Sequence, residues 1–149
     1  MAKIYFDTGA LVKLYIVESG SHFVQKKAQE AKAIPLNPLQ DTELRNAILA
    51  AGGRQTIDQG AVRQTLANLD EDIRQGFFCS ETPDWPWIWQ RANLLARQYT
   101  PTLLCRTLDI LHVAAAEFSA VDEVVTGDLR QYRLCQAVDL AVTAIPPGD

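Results

Sequence analysis

Lys3-Ile4-Tyr5-Phe6-Asp7-Thr8-Gly9-Ala10-Leu11-Val12-Lys13-Leu14-Tyr15 decides how the rest of the chain is read. An apolar, aromatic-rich run stops at a carboxylate, and Leu11, Leu14 and Tyr15 then recur at helical spacing. Read as strand then helix, this places Asp7 at the carboxyl end of a strand, the edge where ligands collect in open α/β sheets. The same arrangement returns near the other end of the chain. Asp122-Glu123-Val124-Val125-Thr126 reads as a strand and ends in Gly127-Asp128. If the two strands are neighbours in a parallel sheet, Asp7 and Asp128 reach one edge.

Between them the chain alternates. Ser19-Gly20-Ser21 breaks the first helix, and a second is expected over about His22 to Lys32, followed by a short strand at Ala33-Ile34-Pro35-Leu36. Asn37-Pro38-Leu39-Gln40 is a helix start with its parts in order: N-cap, proline at the first helical position, and the reciprocal glutamine of a capping box. That helix is expected to run to Ala51, before Gly52-Gly53, with Glu43, Asn46 and Ala47 on one face. Thr56 to about Arg74 is amphipathic, with Val62, Leu66, Leu69 and Ile73 on one stripe and Asp58 among its surface charges. Phe77-Phe78-Cys79 is either a short strand or a buried loop. Pro83-Asp84-Trp85-Pro86 opens a helix ending near Tyr99-Thr100-Pro101. Its Trp85, Trp87 and Trp89 are either core ballast or a surface for a partner or a base. Thr107 to Phe118 is apolar all round and belongs at the centre of the fold. A short helix from Leu129 to about Ala137, a strand from Leu140 to Ile145 and a Pro146-Pro147-Gly148-Asp149 tail complete the chain. The class is α/β, a single domain over 1–149 with helices layered on a mostly parallel sheet.

Composition narrows the function. The 149 residues are 48% hydrophobic and 21% charged, which fits a globular domain rather than a disordered chain. No basic region precedes a long apolar run, and no run approaches the roughly 20 residues of a membrane span, so a cytoplasmic protein without a secretory signal or membrane contact is expected. Cys79, Cys105 and Cys135 lack CxxC spacing, which argues for reduced thiols and against a zinc cage. A net charge of −4 is not that of a broadly basic nucleic-acid binder. It leaves room for local cations and a bound metal at a phosphodiester.

Two further acids sit early in helices, Glu43 in a second turn and Asp109 in a first. Helices that follow parallel strands begin just past the carboxyl edge, so all four acids can meet in one cleft. Asp109 lies in the most apolar helix, where an unpaired charge is expensive, with Arg106 as the nearby cation. Converging carboxylates repel unless a positive charge joins them. Oxygen donors without clustered His or Cys favour Mg²⁺ or Mn²⁺. Each acid also has a plain structural reading: Asp7 and Asp128 as helix caps, Glu43 as a surface acid, Asp109 paired with Arg106.

Four passages resemble the PIN domain, and within it the VapC-type toxin ribonucleases: Tyr5 to Tyr15; Thr42-Glu43-Leu44-Arg45-Asn46-Ala47; Thr107-Leu108-Asp109-Ile110-Leu111-His112-Val113-Ala114; and Val124-Val125-Thr126-Gly127-Asp128. Their order and spacing agree over nearly the whole chain. The resemblance implies a three-layer α/β/α sandwich and an acidic pocket in which Asp7, Glu43, Asp109 and Asp128 hold Mg²⁺ or Mn²⁺. Thr8, Asn46 and Thr126 would support the pocket. It further implies hydrolysis of single-stranded RNA by metal-activated water, a small cognate antitoxin protein as partner, and a homodimer. His112 is usual in the family, either as a packing and hydrogen-bonding residue or as a ligand. Gly9 stands where the family usually has Ser, Gly127 where it often has a larger residue, and the tryptophan segment matches no family motif. Lys13, Arg45, Arg106, Arg130 and Arg133 lie near the acidic passages, either to meet phosphates or as local ion pairs. Two other readings remain open: a PIN-like module that binds RNA or protein without cutting, and a nuclease for structured nucleic acid.

Overall fold

The computed structural model describes residues 2–148; Asp149, the last residue of the expected tail, lies outside them. Strand β1 (Ala2–Phe6) is flanked by β2 (Ala31–Ala33) and β5 (Glu123–Thr126), and β6 (Val142–Ala144) follows β5. All three pairings of this sheet, β2-β1-β5-β6, are parallel, and Phe6 lies opposite Val125. The two strands that end in acids are therefore neighbours. A second, two-stranded parallel sheet joins β3 (Pro35–Leu36) to β4 (Cys79–Ser80).

Strand alternation divides the core. Ile4 and Phe6 of β1 and Val125 of β5 pack against helices α1 (Thr8–Tyr15), α2 (Ser21–Glu30), α3 (Pro38–Gly53) and α4 (Gln59–Arg74). Tyr5 and Val124 point the other way, to α5 (Trp85–Leu103), α6 (Thr107–Phe118) and α7 (Leu129–Ala137). This is the expected α/β/α sandwich. On the first side Leu11, Leu44, Ile48 and Leu69 are fully buried, each stabilising the fold by about 2 kcal/mol relative to exposure. On the second, Ile110 to Ala116 of α6 are all buried, and its run of alanines lets the helix lie close to its neighbours. All three cysteines are free thiols. No helix among the described residues is long and apolar enough to cross a membrane.

Several boundaries differ from the sequence expectation, each for a local reason. Helix α2 stops at Glu30, because Ala31–Ala33 is drawn out as a parallel partner of β1; the single short strand expected there is two strands in separate sheets. Helix α3 has the expected cap at Asn37 but continues through Gly52-Gly53. Gly52 serves contact rather than termination, since a Cβ there would stand 2.5 Å from Val62 Cγ2 of α4. Helix α4 begins at Gln59, not Thr56, because Asp58 caps it by accepting from the Ala61 amide at 2.7 Å. Cys79 lies in a strand while Phe78 is buried beside it. Helix α5 carries Pro101 inside its last turn and ends at Leu103, capped by Leu104, whose φ of 54° is left-handed. The tryptophans divide: Trp85 packs partly on the core, whereas Trp87 and Trp89 are 41% and 51% exposed, and Trp87 still packs on Phe118 of α6 with ring centroids 5.7 Å apart.

Candidate active site

The carboxyl edge of the sheet opens into a cleft of about 550 Å³. Asp7, Glu43, Asp109 and Asp128 all line it, together with Thr8, Gly9, Lys13, Arg106, His112 and Gln131. Residues more than a hundred positions apart meet because β1 and β5 pair in register and α1, α3, α6 and α7 start near the same edge.

Asp7 is buried and caps α1: Oδ1 accepts from the Ala10 amide at 2.8 Å. Its Oδ2 accepts from the Thr126 hydroxyl, which stands across the pairing of β1 with β5. Thr126 Oγ1 in turn accepts from the Asp128 amide at 2.9 Å, so one hydroxyl ties the two strand-end acids together. Burial drives the Asp7 carboxyl above the ordinary carboxylate range, against its hydrogen bonds from Thr126 and Ala10, and Asp128 adds to the rise. Asp128 caps α7, with Oδ1 accepting from the Arg130 and Gln131 amides at 2.8 and 3.1 Å.

Asp109 occupies the third position of α6, where its Oδ2 accepts from the backbone N–H of Arg106 at 3.0 Å. The expected alternative, an ion pair with the Arg106 side chain, is not formed among the described residues. Burial raises this carboxyl too, the Arg106 amide opposes the rise, and Asp128 reinforces it. Glu43 behaves oppositely. Burial pushes it up, but His112 and the Thr8 hydroxyl outweigh that and hold it below the usual range. His112 Nε2 lies 2.5 Å from Glu43 Oε1, and Thr8 Oγ1 donates to the same oxygen at 2.9 Å. His112 is buried and hydrogen-bonded on both ring nitrogens.

The capping and functional readings of these acids are not exclusive, because a carboxylate has two oxygens. Among the described residues no hydrogen bond reaches Glu43 Oε2, Asp109 Oδ1 or Asp128 Oδ2. Such hard oxygen donors fit Mg²⁺ or Mn²⁺ chemically. They do not form a closed cage as they stand: no three His, Cys, Asp or Glu side chains among the described residues are gathered tightly enough to hold one ion.

Of the other expected site residues, Thr8 and Thr126 support the acids directly, as above. Asn46 is exposed and does not line the cleft, being nearly a turn further from the edge than Glu43. Lys13 and Arg106 line the cleft, although Lys13 also bonds Glu18 at 3.0 Å and the Ser19 carbonyl at 2.7 Å. Arg45 does not line it, tied instead to Asp41 at 2.9 Å and Asp70 at 2.8 Å. Arg130 and Arg133 are exposed and also outside the cleft lining. Gly9 lines the cleft, and a Cβ there would lie 3.7 Å from Asp7 Oδ1, an ordinary contact. Sequence reasoning passed over Tyr5, whose hydroxyl lies 2.7 Å from His112 Nδ1, and Gln131, whose Oε1 lies 3.1 Å from Thr126 Oγ1. In the sequence Tyr5 is one residue of an apolar, aromatic-rich run and nothing more.

The architecture and the position of the cleft define an α/β protein of PIN-like fold. Its fold matches the crystal structure of FitAcB from Neisseria gonorrhoeae with a TM-score of 0.67, at 16% identity, over 93% of this chain and 95% of that chain. No family model matches the chain, and no curated protein matches it.

Proposed function

We propose that this protein is a divalent-metal-dependent endoribonuclease that cuts single-stranded RNA, and that it acts as the toxin of a toxin–antitoxin pair. The observation that carries the nuclease reading is the convergence of Asp7, Glu43, Asp109 and Asp128, from four separate passages, on one cleft at the sheet's carboxyl edge. Burial raises two of these acids, and a cation drawn between them relieves the cost of ionising them. Drawn closer together than they now stand, Glu43, Asp109 and Asp128 would hold Mg²⁺ or Mn²⁺ through their unengaged oxygens, with Asp7 locked behind them by Ala10 and Thr126. A metal so held would lower the pKa of a bound water and steady the charge that grows on a phosphodiester. Lys13 and Arg106, on the cleft wall, offer positive charge to the phosphates on either side. The toxin role, the antitoxin partner and a homodimer rest on the sequence resemblance to VapC-type proteins.

The test is cleavage of an end-labelled single-stranded RNA with Mg²⁺, with Mn²⁺, and with chelator, beside duplex RNA and duplex DNA. Metal-dependent cutting of the single strand that disappears in Asp109→Asn and Asp128→Asn supports the reading. Cutting that persists in both variants rules out the acid assignment. Neutralisation of growth arrest by a small protein encoded beside the gene tests the toxin role separately.

A second reading has an observation of its own. Because no three potential ligands among the described residues are gathered around one point, the chain is also suited to bind RNA or protein in the cleft without cutting. RNA binding that chelator leaves unchanged, with no cleavage under any metal, favours it.

A further inference from the structure

Tyr5 is the largest polar side chain sealed inside the sheet, and its hydroxyl is part of a chain of hydrogen bonds that ends at the cleft. The chain starts at the cap of α3. Asn37 Oδ1 accepts from the Gln40 backbone N–H at 2.8 Å, and Gln40 Oε1 accepts from the Asn37 backbone N–H at 2.9 Å. Gln40 is fixed from its other end as well, donating to the Phe6 carbonyl at 2.7 Å. The cap thus settles which end of the Asn37 amide is oxygen, and its NH₂ must face Tyr5, 3.3 Å from the phenol oxygen. With that lone pair engaged by a donor, the phenol hydrogen is directed to His112 Nδ1 at 2.7 Å. His112 then carries its hydrogen on Nε2 and donates to Glu43 Oε1 at 2.5 Å. The opposite arrangement, a hydrogen on Nδ1, would leave the phenol hydrogen without an acceptor in a buried site, which costs more than a made bond returns.

We infer that Tyr5 is a positioning residue for Glu43: oriented by the cap at Asn37, it sets the His112 ring, and the ring holds Glu43 Oε1 so that Oε2 stays turned to the cleft. The inference deepens the reading of the cleft as a metal site but rests on its own geometry. The cap of the helix that carries Glu43, a strand residue and a histidine of another helix act together on that acid. Metal-ligating side chains are commonly oriented by such outer partners.

The experiment uses the full chain with ¹⁵N-labelled histidine and ¹³C-labelled glutamate at one fixed alkaline pH, above the ordinary imidazole range, without metal. There are only two histidines, and His22→Gln leaves the signals of His112 alone. The wild-type ring is expected to carry hydrogen on Nε2 only. In Tyr5→Phe the ring loses that single state and the Glu43 Cδ resonance moves. Should Tyr5→Phe fail to fold, Asn37→Asp serves instead: it keeps the cap oxygen but removes the donor, reversing the phenol, and a hydrogen is expected on Nδ1 while Nε2 keeps the one it donates to Glu43. A wild-type ring with hydrogen on Nδ1, or on both nitrogens, overturns the inference. So does a variant that folds and leaves the ring state or the Glu43 resonance unchanged. Mn²⁺ titration gives a second readout, with affinity in Tyr5→Phe expected about tenfold weaker. Absence of Mn²⁺ binding and RNA cleavage in the wild type would sink the metal reading of the cleft, while the ring and Glu43 signals would still decide the role of Tyr5.

Discussion

At Asp7 two demands meet on one side chain. Its oxygens accept from Ala10 and Thr126, which holds the start of α1 against β5, yet burial penalises the charge that makes it useful. An acid whose folded pKa stands above its unfolded value contributes stability that is fully present below the unfolded pKa, about 4, and is lost as pH rises through the folded pKa. Asp109 has the same sign, and Glu43, whose pKa is lowered, the opposite. At neutral pH without metal, ionised Asp7 is therefore a burden. Asp7→Asn keeps an oxygen for Ala10 and removes the charge, so thermal melting at pH 7 in chelator should rise by about 1 kcal/mol, roughly 3 °C at this size, while RNA cleavage is lost. A variant that melts lower would mean that the bond from Thr126 outweighs the burial of charge. Gly9→Ser probes the neighbouring position: with ordinary contact distance to Asp7, it should change stability by less than about 0.5 kcal/mol and leave cleavage intact. Asp7, Asp109 and Asp128 were legible because each stands at a boundary the sequence marks, and Glu43 because it follows a marked helix start by one turn. Tyr5 was not, since its role depends on an Asn37 amide and a His112 ring that only the folded chain brings within reach.

Elements were legible where a local signal coincides with a tertiary need. The capping box at Asn37 and Gln40 predicted the start of α3, and the same two residues make bonds to Tyr5 and Phe6 that pin that helix to β1. Where the local signal and the tertiary contact disagree, contact prevails. Gly52-Gly53 looks like a helix stop, but α3 passes through it because Gly52 lets α4 approach. The two glycines separate these effects. Gly52→Ala would drive a methyl into Val62 and should cost about 2 kcal/mol. At Gly53 a Cβ meets nothing within 4 Å, so Gly53→Ala should gain up to about 1 kcal/mol from helix propensity. Urea unfolding of both variants checks the pair; equal shifts would show that α3 and α4 part easily at this point. Asp58 teaches the same lesson in reverse: it reads as one surface charge among several, yet it fixes where α4 begins.

For the whole molecule, the cleft is the place where the two sides of the sandwich are joined by polar groups rather than by the sheet alone. Glu43 belongs to the α3 layer, Asp109 and His112 to α6 on the other face, and Asp7 and Asp128 to the strand ends between them. A ligand that engages Glu43, Asp109 and Asp128 together binds only the folded chain, because they stand in three separate passages that unfolding disperses. Its binding energy is then folding energy, which at one hundred times the dissociation constant amounts to about 2.7 kcal/mol. For a chain of this length that corresponds to a rise in melting temperature of roughly 8 °C, reversed by chelator. Mn²⁺ should produce this rise in the wild type and not in the Asp109→Asn, Asp128→Asn double variant, with Ca²⁺-free buffers and constant ionic strength excluding a general salt effect. The carboxylates now stand apart, so the gain should develop at higher Mn²⁺ than a preformed cage requires, the difference being the work of drawing like charges together. If millimolar Mn²⁺ leaves the melting curve of the wild type unchanged, the acids serve as caps and pocket walls, and the cleft is a binding surface without metal chemistry.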